Sequence, residues 1–326
     1  TPSIVAATEE WTAAPVTAAI LEEGSIFLSG GTALKGFGKA AGIPAATWAS
    51  GGALSTGRYG TSGSGTQTAA LCFGGGGATN TANTEAYNGS TWTELNNLNT
   101  ARYFASDQGT GTQTAALAIS GYVSPNNIDN VESWDGTNWT EIAEVNGARR
   151  GAGAAGIQTS ALFFAGANPS NTKVASNESW NGSAWTEVGD LNTAREELGG
   201  CGASNISAIA ITGSAPPLTA NVETWDGSSW TEVGNVNTSR SALAASGRTD
   251  GAIAFGGSAP SVSAKTESWN GTSWTEVNDL ANARERLAAS STASVAALAF
   301  AGNPSPNNTL TEEFTADNSL SAVTVS

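Results

Sequence analysis

The side chains that most often carry enzyme chemistry are absent from this sequence or stand in unfavourable pairs. The 326 residues include no histidine, which excludes Ser-His-Asp and Cys-His nucleophiles and imidazole metal ligands. Two carboxylates can act together as general acid and base. Three adjacent pairs occur, at Glu9–Glu10, Glu196–Glu197 and Glu312–Glu313. Because neighbours along a strand point to opposite faces, we expect no hydrolase pair, no catalytic residue, no cofactor and no metal site.

Charge and hydropathy exclude two further classes of function. The chain has 13 basic and 28 acidic side chains, a net charge of 13 − 28 = −15, whereas nucleic-acid binding requires clustered Lys and Arg. No stretch approaches 18 apolar residues, so we expect no membrane insertion. The two cysteines, Cys72 and Cys201, lie far apart in sequence, and we expect both to be small buried side chains rather than a disulfide.

An arginine recurs ten residues after a tryptophan. The spacing occurs six times, at Trp48/Arg58, Trp92/Arg102, Trp139/Arg149, Trp185/Arg195, Trp230/Arg240 and Trp274/Arg284. Successive tryptophans of this set are 44 to 47 residues apart. A fixed period of this length indicates a repeat architecture, in which equivalent residues of successive units lie at equivalent places.

Each repeat carries the signals of four short strands. Asn-Gly or Asp-Gly, as at Asn270-Gly271, lies between a Glu-x-aromatic pair and the tryptophan in five units, and these dipeptides mark tight hairpins. An apolar run that ends in small residues, such as 71–75, precedes each hairpin, and a strand rich in Ala, Gly and Ser follows each arginine. Four strands in about 45 residues predict the blade of a β-propeller, with small residues innermost and aromatic rings between blades.

The order of features in each unit resembles that of kelch repeats. A run of small or Gly residues is followed by an aromatic residue, then by a tryptophan, and then by a strand that begins with an arginine. The sequence of several segments is similar to that of kelch-like proteins of marine bacteriophages, especially cyanophages. These segments are residues 66–71, 112–117, 267–277, 98–102 and 191–195. The resemblance covers roughly residues 25–314, although the Gly doublet is complete only in the first, second and sixth units and the first unit lacks the Glu-x-aromatic pair. It implies a virion protein, on a tail fibre, baseplate or capsid surface. The copper oxidases among kelch proteins use histidine, so that activity does not carry over.

Seven apolar runs at this period predict a single seven-bladed propeller over residues 1–326,. Residues 1–24 would supply a closing segment and the inner strand of the first blade. Residues 25–314 would hold the repeats, and residues 315–326 would close the last blade, unless the N-terminal segment supplies that strand. The alternative is a six-bladed ring with a spare hairpin.

The six arginines are the first candidates for binding, because equivalent positions would surround one mouth of the channel. They could form a crown for an anion or glycan, or each could pair with the Glu of a Glu-x-aromatic motif, since six such glutamates also occur. Variable loops on the same face add Lys35, Phe37, Lys39 and Tyr122. The candidate ligand-binding set is therefore Arg58, Arg102, Arg149, Arg195, Arg240, Arg284, Lys35, Phe37, Lys39 and Tyr122.

Three functions follow, in order of preference. The first is a non-enzymatic adhesion module of the virion that contacts a host cell-surface glycan or protein. The second is a structural component that contacts other virion proteins. The third is a glycan hydrolase, which needs two carboxylates converging in the channel; of the adjacent pairs, only Glu196–Glu197 opens a predicted inner strand.

Overall fold

The computed structural model describes residues 26–29, 33–36, 46–77, 79–104, 110–290, 293–304 and 308–316. The chain divides into two compact units, residues 1–40 with 319–326, and residues 41–318. The described part of the first unit is one antiparallel hairpin, β1 (Ile26–Ser29) with β2 (Ala33–Gly36). All other described residues belong to the second unit.

The described residues of the second unit form strands and no helix. In chain order the strands are β3 (Thr47–Ser50), β4 (Ser62–Thr66), β5 (Ala69–Phe73), β6 (Thr84–Tyr87), β7 (Trp92–Leu95), β8 (Thr110–Gly111), β9 (Ala116–Ile119), β10 (Tyr122–Val123), β11 (Asn126–Asn127), β12 (Val131–Trp134), β13 (Trp139–Ile142), β14 (Gly153–Ile157), β15 (Ser160–Phe164), β16 (Asn177–Trp180), β17 (Trp185–Val188), β18 (Gly199–Ser204), β19 (Ser207–Ile211), β20 (Val222–Trp225), β21 (Trp230–Val233), β22 (Ala244–Arg248), β23 (Gly251–Phe255), β24 (Thr266–Trp269), β25 (Trp274–Val277), β26 (Ala288–Ala289), β27 (Ala296–Phe300) and β28 (Thr311–Thr315).

Six four-stranded antiparallel sheets are the blades of a β-propeller. From the first strand outward, blades 1 to 6 are β4-β5-β6-β7, β8-β9-β12-β13, β14-β15-β16-β17, β18-β19-β20-β21, β22-β23-β24-β25 and β26-β27-β28-β3, and β10 and β11 form a small added hairpin. The first strands contact one another in a cycle, from β4 through β8, β14, β18, β22 and β26 back to β4. The blades therefore close into a ring, which leaves no exposed end of the array.

The predicted all-β propeller of four-stranded antiparallel blades is confirmed, and its repeated blades are consistent with kelch-like repeats. The six blades of the described residues correspond to the six-bladed alternative, and β1 with β2 is a separate hairpin. Most of the segment in which we predicted a further blade, including residues 1–24 with its inner strand, lies outside the described residues.

Blade 6 obtains its outermost strand from an early part of the chain. β3 pairs antiparallel with β28, placing Trp48 opposite Phe314. The Trp48 ring lies 5.1 Å from Phe314 and 4.9 Å from Phe255 of blade 5, between ring centroids. β3 thus fills the place beside β28 for which we proposed residues 315–326 or the N-terminal segment 1–24; residues 1–24 and 317–326 lie outside the described part.

The apolar core lies between neighbouring blades. Trp139 of blade 2 packs on Phe73 of blade 1 at 4.9 Å, and Trp92 of blade 1 packs on Phe300 of blade 6 at 5.0 Å. Rings of this size bury about 150–250 Å² each. The first strands carry small residues because the blades converge there: a Cβ added at Gly63 would lie 2.4 Å from the Phe300 ring. The predicted roles of the aromatic and small residues are confirmed.

Candidate functional site

The six repeated arginines are buried and paired with glutamates. In each blade a guanidinium nitrogen lies 2.6 to 3.1 Å from a carboxylate oxygen, and every side chain of the set is at most 3 % exposed. The pairs are Arg58–Glu85, Arg102–Glu132, Arg149–Glu178, Arg195–Glu223, Arg240–Glu267 and Arg284–Glu312. A buried charge needs a partner of this kind, because the interior cannot solvate it.

Each pair fastens the loop that enters a blade to that blade's third strand. The second oxygen of every paired glutamate accepts a backbone N–H three residues before the arginine, at 2.6 to 2.8 Å. Arg102 also donates to the carbonyls of Ser120 and Asn130. Burial lowers the pKa of the Arg149 guanidinium to about 10, against the attraction of Glu178. The arginines therefore lock the repeat, as in the alternative given above, and a ligand-binding crown of these six side chains is ruled out by their burial.

The residue two places after each arginine lies close to the axis of the ring. All six have a left-handed backbone with φ between 50° and 57°; they are Gly60, Phe104, Gly151, Glu197, Ala242 and Arg286. Backbone hydrogen bonds of 2.7 to 2.9 Å join neighbours in this set, for example from Gly60 N–H to the Arg286 carbonyl and from Arg286 N–H to the Ala242 carbonyl. Four of the six are not glycine, and residues with a side chain rarely adopt such φ values without support from the surrounding structure.

The side chains that follow the arginines line one cavity of about 420 Å³, which we call the axial cavity. Its walls are Tyr59, Tyr103, Phe104, Tyr122, Arg150, Glu196, Glu197 and Arg286. Seven of these stand one or two places after a repeated arginine, in blades 1, 2, 3, 4 and 6. The left-handed backbone at Glu197 interrupts strand alternation, so Glu196 and Glu197 face the same space. This corrects our expectation that adjacent carboxylates point apart.

One side of the axial cavity is aromatic. The Tyr103 ring lies 4.5 Å from Phe104 and 5.3 Å from Tyr122, the latter edge to face. The guanidinium carbons of Arg150 and Arg286 lie 5.4 Å and 5.3 Å from the Tyr122 and Phe104 ring centroids. Flat rings and stacked guanidinium groups present faces on which another flat or apolar face can stack.

The other side carries the two carboxylates. Glu197 accepts from Arg286 at 3.2 Å, and Glu196 lies 3.9 Å from the Lys173 ammonium. Burial, and then the negative charge of Glu197, raises the pKa of Glu196 above its ordinary value of 4.5. Arg150 donates to Asn127 at 3.3 Å. The cavity therefore offers both donors and acceptors, held by contacts with neighbouring loops.

The remaining predicted residues fall in several places. Tyr122 lines the axial cavity, Lys35 lies in β2, and Phe37 and Lys39 lie outside the described residues. Cys72 and Cys201 are unpaired and buried, as predicted, and burial raises the pKa of both thiols, that of Cys201 to about 12.

The cavity residues that sequence reasoning missed are Tyr59, Tyr103, Phe104, Arg150 and Arg286, which follow the repeated arginines; of this set only Glu196–Glu197 was singled out. The two residues after each arginine differ from unit to unit, from Tyr59-Gly60 to Glu285-Arg286, next to an arginine that is constant. That change from constant to variable was the available signal, and we applied it only to other loops.

Comparison with known proteins gives no relative. No family model matches the chain, and no curated protein is similar to it. Among the described residues there is no helix of the length and hydropathy required to cross a bilayer, and no group of three Cys, Asp or Glu side chains is close enough to share a metal ion.

Proposed function

We propose that this protein is a non-enzymatic binding module whose axial cavity binds a carbohydrate. The observation that carries the proposal is the lining of that cavity, in which four aromatic rings stand beside two arginines and two glutamates. A volume of about 420 Å³ falls in the range of small-molecule sites, about 300–1,000 Å³.

The lining suits the two kinds of surface that a sugar ring presents. The C–H face of a pyranose can stack on Tyr103 or Tyr122, which are half-buried and already fixed by contacts with each other. The hydroxyl groups around the ring can donate to Glu196 and Glu197 and accept from Arg286. Because a cation contacts each carboxylate, we assign both to holding hydroxyl groups rather than to hydrolysis.

The resemblance to kelch-like proteins of marine phages supports the surface of a host cell as the source of this carbohydrate. We propose that the chain is carried on a virion surface, on a tail fibre, baseplate or capsid, together with other virion proteins. There the axial cavity would bind a glycan of the host cell surface, with a surface protein as the other possible target. We propose no role in binding nucleic acid or inserting into a membrane.

Binding to an array of bacterial surface polysaccharides and lipopolysaccharides tests the proposal. The wild-type chain should bind particular glycans saturably, and Tyr103→Ala should weaken that binding about two- to tenfold, because one lost aromatic stacking contact is worth about 0.5–1.5 kcal/mol. Ser241→Ala is the matched control, since Ser241 also follows a repeated arginine but does not line the cavity. Absence of saturable binding, or equal binding by Tyr103→Ala with its fold intact, would contradict the proposal.

A further inference from the structure

A side-chain amide joins each of blades 1 to 4 to the blade before it. It stands on the hairpin between the first two strands and donates to the carbonyl near the end of the preceding blade's third strand, at 2.5 to 3.2 Å. The donor and acceptor pairs are Gln67 and Phe314, Gln113 and Tyr87, Gln158 and Trp134, and Asn205 and Trp180. These hairpins lie at the opposite end of the first strands from the loops that build the axial cavity.

The contacts of Asn205 define the complete seat for one carboxamide. Its Nδ2 donates to the Trp180 carbonyl and to Ser179 Oγ at 3.0 Å, and its Oδ1 accepts from Ser160 Oγ at 2.8 Å. Gln158 donates in the same way to Ser133 Oγ, at 2.9 Å. The seat thus consists of a backbone carbonyl, a hydroxyl group beside it, and the serine that begins the second strand of the preceding blade.

At the junction of blades 4 and 5 the amide is replaced by a threonine. Thr249 occupies the hairpin position, and its hydroxyl lies 3.3 Å from Ser207 Oγ. Here the structure has a cavity of about 320 Å³ whose walls include Ser207, Thr224 and Trp225. These three residues correspond to Ser160, Ser179 and Trp180 of the preceding junction, so the seat is present, and no side-chain amide among the described residues fills it. We call this cavity the notch.

An exposed aliphatic side chain stands at the rim of the notch. Ile206 lines the notch and is 62 % exposed. Blades 1 to 3 have a threonine at the same hairpin position, Thr68, Thr114 and Thr159. An exposed isoleucine beside a polar seat is the combination expected at a contact with a partner protein. A small amide molecule in the seat would leave the isoleucine side chain exposed to water, whereas a protein could cover it.

We propose that the notch binds the primary carboxamide of a glutamine or asparagine on a loop of a partner protein. The amide nitrogen would donate to the Trp225 carbonyl and the Thr224 hydroxyl, its oxygen would accept from Ser207, and Ile206 would pack on the partner beside it. At all four occupied junctions an amide donates to the equivalent carbonyl, and at the two junctions that precede the notch it also donates to a serine hydroxyl. The inference does not depend on carbohydrate binding in the axial cavity.

A titration with capped glutamine tests this directly. N-acetyl-glutamine methylamide is added to the full chain labelled with ¹⁵N at the tryptophan indoles, and the Trp225 and Trp269 signals are identified through their Phe variants. Both residues line the notch, so we expect saturable shifts of these two signals, with a Kd on the order of millimolar for an isolated side chain. Capped leucine, which lacks the amide, is the ligand control.

Two substitutions separate the notch from other sites. Thr249→Gln supplies the missing amide from within the chain and should abolish the shifts, whereas Thr249→Ser should preserve them. Ile206→Thr, the residue of blades 1 to 3, leaves the seat intact and is expected to weaken binding of a longer partner peptide roughly fourfold. No saturable shift with capped glutamine, equal shifts with capped leucine, or shifts that persist in Thr249→Gln would overturn the proposal.

Discussion

Tyr87 donates its phenolic hydroxyl to Glu313 at 2.6 Å, across the junction where blade 1 meets blade 6. The four blades that follow have a tryptophan at this position of the third strand: Trp134, Trp180, Trp225 and Trp269. The Gly52 N–H, just after β3, also reaches the Tyr87 oxygen, at 3.4 Å. The one tyrosine of the set therefore stands where the ring is closed, and its hydroxyl contacts both strands that close it.

Tyr87→Phe should lower the free energy of unfolding by about 1–2 kcal/mol, because it leaves a partly buried carboxylate without its donor. Urea unfolding followed by tryptophan fluorescence measures the change. Tyr103→Phe removes a hydroxyl outside the closure and should have less effect. Equal stability of wild type and Tyr87→Phe would show that the hydrogen bond adds nothing to closure.

The same hydroxyl makes the closure sensitive to alkaline pH. Burial, and then the hydrogen bond to Glu313, raises the pKa of Tyr87 from 10 to about 12. Since the folded pKa is the higher one, this stabilisation is complete below pH 10 and is lost as the pH rises through about 12,. The stability difference between wild type and Tyr87→Phe should shrink over that window, measured by urea unfolding at a series of pH values.

Three outer-strand tryptophans donate their indole N–H to a threonine of the preceding blade. Trp92, Trp139 and Trp48 reach Thr311, Thr84 and Thr266 at 2.9 to 3.2 Å. Trp274 has no such acceptor, and its Nε1 is buried without a partner. It packs in the same core cluster as Val222, which begins the third strand of the preceding blade, where those three junctions have the threonine.

Val222→Thr should therefore supply the acceptor that Trp274 lacks. The matched control is Val131→Thr, because Trp185 at that junction already donates to the Ala143 carbonyl. We expect Val222→Thr to be more stable than Val131→Thr by about 1–2 kcal/mol, the value of one satisfied buried hydrogen bond. Equal thermal unfolding of the two variants would contradict this account of the buried indole.

The Arg–Glu pairs should be costly to break singly. Glu132→Gln leaves the Arg102 charge buried without its counter-ion and should destabilise the fold by about 3–5 kcal/mol. The exposed pair Lys265–Glu276 is the control: Lys265→Gln should have a far smaller effect, because solvent screens an exposed ion pair. A small effect of Glu132→Gln in urea unfolding would show that the buried pairs do not lock the repeat.

Glu196 gives the axial cavity a pH response. Its raised pKa means that the folded state favours the protonated acid, so ionisation at neutral pH costs stability. Glu196→Gln should be more stable than wild type at pH 7, and the difference should shrink as the pH falls toward the ordinary value of 4.5. Thermal unfolding across this range measures it; a constant difference would show that Glu196 does not titrate there.

The blades could be predicted from sequence because their signals are local and repeated. Asn-Gly turns, apolar runs and paired tryptophans each recur at one period. The number of blades depends on the pairing of β3 with β28, which places Trp48 opposite Phe314. The amino-acid sequence around Trp48 does not show which strand β3 joins, so this number could not be predicted. The left-handed backbone at Phe104 and Glu197 is imposed by contacts around the axis rather than by residue type, so the axial cavity had no comparable signal.

The pairing of β3 with β28 has a consequence for synthesis of the chain on the ribosome. β3 ends at Ser50, and its partner strand β28 begins only at Thr311, so β3 is synthesised well before its partner. Until then Trp48 and its strand have no sheet to join, and an unpaired apolar edge is prone to pairing with other chains. Folding of this propeller is completed only after β28 has been synthesised, so a chain interrupted before β28 is released as an open array with two free edges.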